Sequence, residues 1–233
     1  IFYFKKLLHN AEVGKNRAGM AKYLVWIGFV YKEKSALDEA MNFYERAMRF
    51  AEAAGDNDQL ANCHFRIGDV LWYRGELDRA LESYQKALGL ATDIKFKGAA
   101  QVGIGNVLMN KHDLSDATAH YREALELLEG TDDYLDRARA YNNIGDVHLQ
   151  LKEWDSAIDN FEKSAALAER GGWVNVRAFT QFNTASALIH KGDFARAKEL
   201  LGKSMETLHM IDSKSGMAGV NHVYAKLYLA MKD

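Results

Sequence analysis

The amino-acid sequence predicts an all-α fold, a solenoid of stacked helix pairs. Three observations predict it: small and large residues recur at a fixed spacing, short turns rich in Gly, Asp and Asn separate the implied helices, and the 233 residues include no proline. Average usage would give roughly a dozen prolines, so these helices must end at other residues. Such a repeat is typical of units that cannot bury their apolar faces alone and therefore stack.

The repeat is clearest in residues 67–88. Each copy has a small residue, the glycine position, on its first helix; the five are Gly28, Gly68, Gly105, Gly145 and Ala185. Twelve residues later comes a second small residue, which is Ala40, Ala80, Ala117, Ala157 or Ala197. Four residues further comes a large one, which is Tyr44, Tyr84, Tyr121, Phe161 or Leu201. Small residues let two helix backbones approach closely, and the large residue fills the space beside them.

This pattern resembles the tetratricopeptide repeat (TPR) family over nearly the whole chain. The residue before the glycine position also matches in four copies, which carry Ile27, Ile67, Ile104 and Ile144. The intervals between glycine positions are 40, 37, 40 and 40 residues, longer than the 34 residues of the common repeat. This long period is similar to that of the Pins/LGN adaptors, kinesin light chain and bacterial signalling proteins. The resemblance implies a right-handed superhelix whose first helices line a concave groove.

We expect one solenoid over residues 1–233, with five full helix pairs flanked by two half repeats. The predicted segments are a half repeat at 1–13, repeats at about 17–54, 57–92, 95–129, 133–170 and 173–210, and a half repeat at 213–231. The 37-residue interval predicts a shortened connection near residues 92–98. Because the chain has no initiator methionine and begins within the pattern, we expect it to be part of a longer protein.

Composition excludes several classes of partner and compartment. The formal net charge of −2 and the pI near 6.5 argue against a nucleic-acid partner, whose binding usually leaves a basic footprint on the protein. No apolar stretch approaches the length of a membrane span, so we expect no membrane insertion. The single cysteine, Cys63, cannot form an internal disulfide, which favours a reducing, cytoplasmic location.

The sequence predicts no enzyme, no cofactor and no metal site. It lacks the H-E-x-x-H, C-x-x-C, G-x-S-x-G and phosphate-loop motifs that carry such chemistry. The stretch Gly103-Ile104-Gly105 begins like a dinucleotide-binding motif, but Leu108 occupies the final position and no strand precedes it. Close packing between helices is therefore the favoured interpretation of these two glycines.

The positions that the resemblance assigns to the groove vary more than the packing positions do. Their centre is rich in asparagine, with Arg139 alongside, and the asparagines are Asn106, Asn142, Asn143 and Asn183. An Asn amide both donates and accepts hydrogen bonds, so it can hold a peptide backbone whatever the peptide's side chains. Asn143 and Asn183 lie two residues before the glycine position, a feature that resembles peptide-binding TPRs. The remaining predicted groove residues are Phe65, Asp69, Tyr73, Asp146, Phe179 and Phe182.

A second interpretation stays open for these residues: the amides could bond neighbouring helices, and each phenylalanine could pack between repeats. The resemblance also extends to chaperone-binding TPRs, which clamp two carboxylates with lysine and arginine. Here Val102, Phe179 and Asn183 occupy the places of those cations, so a C-terminal carboxylate would lack its counter-charges. We therefore exclude the clamp that binds the Hsp70 and Hsp90 chaperones.

Together these features predict a protein–protein interaction module that binds a peptide or a partner helix in its concave groove. The alternative is a ligand- or peptide-sensing regulatory arm of a larger signalling or transcription protein, in which binding changes the curvature of the superhelix. A third hypothesis is an assembly scaffold that self-associates through its end helices.

Overall fold

The computed structural model describes residues 1–232, and every regular element within that range is an α-helix. The first six are α1 (Phe2–Val13), α2 (Arg17–Glu33), α3 (Leu37–Ala54), α4 (Asn57–Tyr73), α5 (Leu77–Leu90) and α6 (Ile94–Asn110). The other six are α7 (Leu114–Leu127), α8 (Tyr134–Gln150), α9 (Trp154–Arg170), α10 (Val174–Lys191), α11 (Phe194–Met210) and α12 (Lys214–Ala230). The all-α prediction is therefore confirmed.

The chain divides into two compact units, of which the first is Ile1–Glu123 and the second begins at Ala124. In the first unit, α2 contacts α4 and α4 contacts α6, in addition to the contacts between consecutive helices. In the second unit, α8 contacts α10 and α10 contacts α12 in the same way. Within each unit the first helices of successive repeats therefore lie side by side. The assignment of residues 1–233 to one domain stays a prediction.

In the first unit the glycine positions make room for buried tyrosine rings. A Cβ atom built on Gly68 would lie 2.8 Å from Cε1 of Tyr84, and one on Gly103 would lie 2.6 Å from the same atom. Tyr84, only 2% exposed, thus packs against glycines of two successive first helices. Gly105 packs in the same way against Tyr121. The interpretation of Gly103 and Gly105 as helix-packing residues is confirmed.

The second unit uses the same packing with different side chains. A Cβ atom on Gly145 would lie 2.5 Å from Cε1 of Phe161, which is fully buried. In the following repeat the glycine position is Ala185 and the large residue is Leu201, and both are fully buried in one apolar cluster. The extra methyl group thus accompanies a smaller partner, which keeps the packed volume similar.

The 37-residue interval leaves three fewer residues for the second helix and the connection that follows it. α5 has 14 residues and is followed by residues 91–93, whereas α7, which also has 14 residues, is followed by residues 128–133. Compared with that repeat, the connection near residues 92–98 is shorter, as the sequence predicted. Asp58 binds the chain just after the C-terminal end of α5. Its carboxylate accepts hydrogen bonds from the backbone N–H and the hydroxyl of Thr92, both at 2.6 Å. These bonds lower the pKa of Asp58.

The turn inside each repeat has one residue in the left-handed backbone region. These residues recur at the repeat spacing and have φ between 59° and 80°; they are Ser35, Gly75, His112, Lys152 and Gly192. Glycine occupies this region without a steric penalty, whereas a residue with a Cβ atom is disfavoured by roughly 1–2 kcal/mol. Three repeats therefore carry a mildly strained residue at this turn.

The packing at Gly145 predicts a compensating pair of substitutions. Gly145→Ala should lower the free energy of unfolding by about 2 kcal/mol, because its Cβ atom would overlap Phe161 and overpacking of a core typically costs that much. Adding Phe161→Leu should recover part of the loss by copying the Ala185 and Leu201 pair. Denaturant midpoints followed by circular dichroism measure both effects.

Gly202→Ala is the matched control, because its Cβ atom would meet only the Tyr224 hydroxyl, at 3.8 Å. This control should be neutral or slightly stabilising, since alanine favours a helix over glycine. A Gly145→Ala variant as stable as the wild type would contradict the packing described here.

The strained turn position gives a second prediction. Lys152→Gly should raise the free energy of unfolding by about 1 kcal/mol, because glycine adopts the φ of 61° at this residue without the steric penalty that lysine incurs. Gly192→Ala, at the same position one repeat later, should lower it by a similar amount. Equal midpoints for both variants and the wild type would show that the turn is not strained.

Candidate functional site

Six of the predicted groove residues lie together in the second unit. They surround a cleft of about 310 Å³ between α8 and α10, which we call the α8–α10 cleft. Its lining residues are Arg139, Asn142, Asn143 and Asp146 on α8, and Val176, Phe179, Thr180 and Asn183 on α10. Both sets recur at intervals of three or four residues, so each forms one face of its helix.

A hydrogen-bond network joins the two helices across the cleft. Asn183 Nδ2 donates to Asn142 Oδ1 at 3.2 Å and to Asp146 Oδ1 at 3.3 Å. Asn142 Nδ2 donates to Asp146 Oδ2 at 3.2 Å. Both carboxylate oxygens of Asp146 thus accept from amides, and the amides of Asn142 and Asn183 are held in fixed orientations. The sequence left open that these amides bond a neighbouring helix, and Asn142 and Asn183 do so.

Thr180 also belongs to this network, although it was not among the groove residues predicted from the sequence. Its hydroxyl donates to Asn142 Oδ1 at 3.3 Å and lies 3.1 Å from the hydroxyl of the buried Ser164 on α9. The sequence did contain a sign of this role. Thr180 is polar, whereas the equivalent residues of the two preceding repeats, Ala140 and Ala100, are small and apolar. Ser164 likewise stands where earlier repeats carry alanine.

Asp146 is the electrostatic centre of the cleft. Burial raises the pKa of its carboxyl group to about 7, and the hydrogen bond from Asn142 opposes that shift only in part. In the part of the chain that the structure describes, no lysine or arginine forms an ion pair with Asp146. A carboxyl group with this pKa changes charge near neutral pH, which is a frequent property of functional residues.

The other predicted residues of the second unit differ in position. Arg139 is half exposed at the edge of the cleft, where its guanidinium donates to Asp136 Oδ1 at 3.0 Å. Phe179 is 37% exposed and forms an apolar wall. Phe182 lies outside the lining: it packs on the apolar cluster of α10 to α12 and would be 3.3 Å from a Cβ atom on Gly219. Phe182 therefore contributes to the core.

Three predicted residues of the first unit, Phe65, Asp69 and Tyr73, share one face of α4. Two cations accompany them. Arg66 lies over the Phe65 ring at 5.3 Å, and Lys32 on α2 lies over the Tyr73 ring at 5.4 Å. Asp69 Oδ2 lies 3.7 Å from Nη1 of Arg66 and 4.0 Å from Nζ of Lys32. Lys32 was absent from the predicted set, although a lysine four residues after the glycine position, where later repeats have apolar residues, was a usable signal.

Asn106, on α6, is also part of the first unit. Its Oδ1 accepts a hydrogen bond from the hydroxyl of the buried Tyr121 at 2.9 Å. This contact couples the residue after the glycine position to the packed ring below it. The same coupling joins Asp69 to Tyr84, whose hydroxyl donates to Asp69 Oδ1 at 2.9 Å.

Comparison with known proteins identifies the family of the chain. The sequence profile of the tetratricopeptide repeat matches residues 19–93 and 97–170. The chain belongs to the tetratricopeptide repeat family. A curated relative, the transcriptional activator NprA of Geobacillus stearothermophilus, is 23% identical over 147 residues. That alignment covers 62% of this chain and 36% of the activator, so the chain spans little more than a third of this relative's length.

Solved structures show the same fold at low sequence identity. A Rap protein complexed with competence and sporulation factor superposes with a TM-score of 0.79 at 17% identity, covering 100% of this chain and 66% of that protein. The Rap conjugation gene regulator of plasmid pLS20, solved with the Phr* peptide, gives 0.75 at 18% identity, covering 91% and 60%. Within residues 1–232, no helix has both the length and the apolar character of a membrane span.

The raised pKa of Asp146 predicts a pH-dependent stability. Because its folded pKa of about 7 exceeds the ordinary value of 3.8, the folded protein binds more protons than the unfolded chain between these values. The contribution of Asp146 to stability is therefore complete below about pH 4 and is lost as the pH rises to 7. The loss is on the order of 4 kcal/mol at most.

Asp146→Asn should remove this dependence, so its stability relative to the wild type should rise between pH 4.5 and pH 8. Denaturant titrations at several pH values measure the difference. Asp159→Asn is the control, because that exposed carboxylate pairs with Lys163 outside the cleft. A difference between Asp146→Asn and the wild type that does not vary with pH would contradict the assignment.

Proposed function

We propose that this chain is a protein–protein interaction module that binds a peptide or a partner helix in the α8–α10 cleft. The observation that carries the proposal is the convergence of fixed amide groups and one carboxyl group in a cleft open to solvent. These groups lie on adjacent first helices, which the family resemblance assigns to the concave groove. For Phe65, Asp69, Tyr73 and Asn106, which belong to the first unit, we propose a ligand-binding role within that unit alone.

The cleft offers the contacts that a peptide requires. Amide groups of asparagine can pair with the N–H and C=O groups of a peptide main chain. Phe179 supplies apolar surface beside these polar groups. Because the hydrogen bonds among Asn142, Asp146 and Asn183 already fix their side chains, binding would lose less conformational entropy than it would with freely rotating side chains.

The comparisons support a peptide as the ligand. The Rap regulator of plasmid pLS20 was solved in complex with a peptide, and its helices superpose on those of this chain. We accordingly propose a binding role without catalysis, cofactor or nucleic-acid partner, and a cytoplasmic location.

A second candidate function is a regulatory arm of a larger protein. The similarity to a transcriptional activator, of which this chain spans 36%, favours it. In that case a ligand in the α8–α10 cleft would change the activity of an attached effector domain. The effector activity of the full-length protein, measured with and without the selected peptide, distinguishes an arm from a simple binding module.

Self-association through the end helices α1 and α12 stays a prediction. Phe2 and Tyr3 on α1 are exposed, as are Tyr228 and Leu229 on α12. The mass in solution as a function of concentration, measured by sedimentation equilibrium, tests it: a constant monomer mass would contradict self-association.

The binding proposal is tested by selection from a random heptapeptide phage library. Wild-type protein should enrich a peptide family, and Asn143→Ala with Asn183→Ala should reduce binding of those peptides at least about tenfold, because each lost hydrogen bond contributes about 1 kcal/mol. The free energy of unfolding should fall by no more than about 1–2 kcal/mol.

Asn42→Ala with Asn221→Ala is the matched control, since both asparagines are exposed and lie outside the cleft. This control should bind the selected peptides as the wild type does. Equal binding by the cleft variant and the control would refute the placement of the ligand in the α8–α10 cleft.

A further inference from the structure

Two repeats carry an aspartate directly after the glycine position, Asp69 in the first unit and Asp146 in the second. Asp69 has three partners within the protein. The hydroxyl of Tyr84 donates to its Oδ1 at 2.9 Å, and Arg66 and Lys32 lie 3.7 Å and 4.0 Å from its Oδ2. The charge of Asp69 is therefore compensated from inside the fold.

None of these three partners has an equivalent side chain in the repeat of Asp146. The repeat alignment places Phe161 at the position of Tyr84, Asn143 at that of Arg66 and Met109 at that of Lys32. None of these three side chains carries a positive charge, and the phenylalanine has no hydroxyl. The hydrogen bonds that reach the carboxylate of Asp146 come from the neutral amides of Asn142 and Asn183.

Arginines on the two helices of the cleft have partners other than Asp146. On α8, Arg139 donates to Asp136. On α10, Arg177 lies 3.5 Å from Glu169 of α9. On α9, Phe161 packs on Gly145 and Ser164 lies 3.1 Å from the Thr180 hydroxyl, and neither residue carries a charge. A carboxylate removed from water in this way is disfavoured unless a cation joins it.

The cleft walls suit the stem of a long basic side chain. Val176 and Phe179 line it with apolar surface, and the volume of about 310 Å³ is open to solvent. Lysine and arginine bury their methylene groups along such surface while the charged end reaches a polar partner. Asn142 and Asn183 hold the Asp146 carboxylate in place, so its oxygens are fixed before a ligand arrives.

We propose that Asp146 binds a basic side chain of the peptide ligand, a lysine ammonium or an arginine guanidinium, whose methylene stem packs on Val176 and Phe179. This inference rests on the proposed function and names the chemical class that its ligand must contain. The cation replaces the internal partners that Asp69 has and Asp146 lacks. Binding then favours the ionised carboxylate, so affinity for basic peptides rises between pH 6 and pH 8 and binding releases a proton.

The test uses mixtures of acetylated and amidated heptapeptides in which only the central residue is fixed, as Lys, Arg, Gln, Leu or Glu. Immobilised wild-type protein at pH 8 should retain the Lys and Arg mixtures at least about tenfold more than the Gln mixture, the ratio expected for one charge-assisted hydrogen bond. Asp146→Asn should retain the Lys, Arg and Gln mixtures equally. Asp159→Asn, which removes the same charge outside the cleft, should behave as the wild type.

Each other outcome overturns the inference in a recognisable way. Retention without a preference for Lys or Arg overturns it and leaves the proposed function standing, whereas no retention of any mixture overturns both. A preference that survives Asp146→Asn places the cation elsewhere. A preference seen only in a parallel set with free N-termini assigns the cation to the terminal amine and not to a side chain.

A second measurement needs no variant and therefore does not depend on how well a variant folds. The Asp146 carboxyl carbon is titrated by NMR in the wild-type protein, alone and with the Lys mixture. The pKa of Asp146 should fall by at least about one unit on binding, since a cation within hydrogen-bond distance favours the carboxylate. An unchanged pKa in the presence of retained peptide overturns the inference.

Discussion

The contact between the glycine position and a buried ring is the constraint on which the rest of the structure depends. Gly68 and Gly145 leave space that the rings of Tyr84 and Phe161 fill, and no Cβ atom fits there without displacing the ring. Because interiors are packed to near-crystalline density, this contact fixes the distance between the two helices of a pair. It thereby also fixes the spacing of successive first helices, which present the groove positions.

The same contact links the core to the candidate site through single atoms. The hydroxyl of a buried tyrosine reaches the residue after the glycine position, as Tyr84 does with Asp69 and Tyr121 with Asn106. Phe161 has no hydroxyl, and Asp146 accepts instead from the amides of Asn142, on its own helix, and of Asn183, across the α8–α10 cleft. Asp146 thus lacks the hydroxyl and the two cations that accompany Asp69, which is why we propose that its carboxylate serves a ligand.

This arrangement separates stability from recognition. The rings, alanines and glycines carry the packing, and the cleft residues vary without disturbing it. The cleft still costs stability, because a carboxylate with a pKa near 7 is partly ionised at neutral pH in a site that disfavours its charge. A site whose polar groups are arranged for a ligand commonly destabilises the free protein in this way.

The sequence by itself determined the all-α fold, the repeat positions and most of the cleft, because small and large residues at one spacing fit only stacked helix pairs. Helical periodicity placed Asn142, Asn143 and Asp146 on one face of a helix, and the repeat spacing put Asn183 at the position equivalent to Asn143. Only the tertiary structure decided that Phe182 packs against the apolar cluster of α10 to α12, that Thr180 joins the network and that, within residues 1–232, no cation forms an ion pair with Asp146. Those facts depend on contacts between different helices, which a linear pattern does not specify.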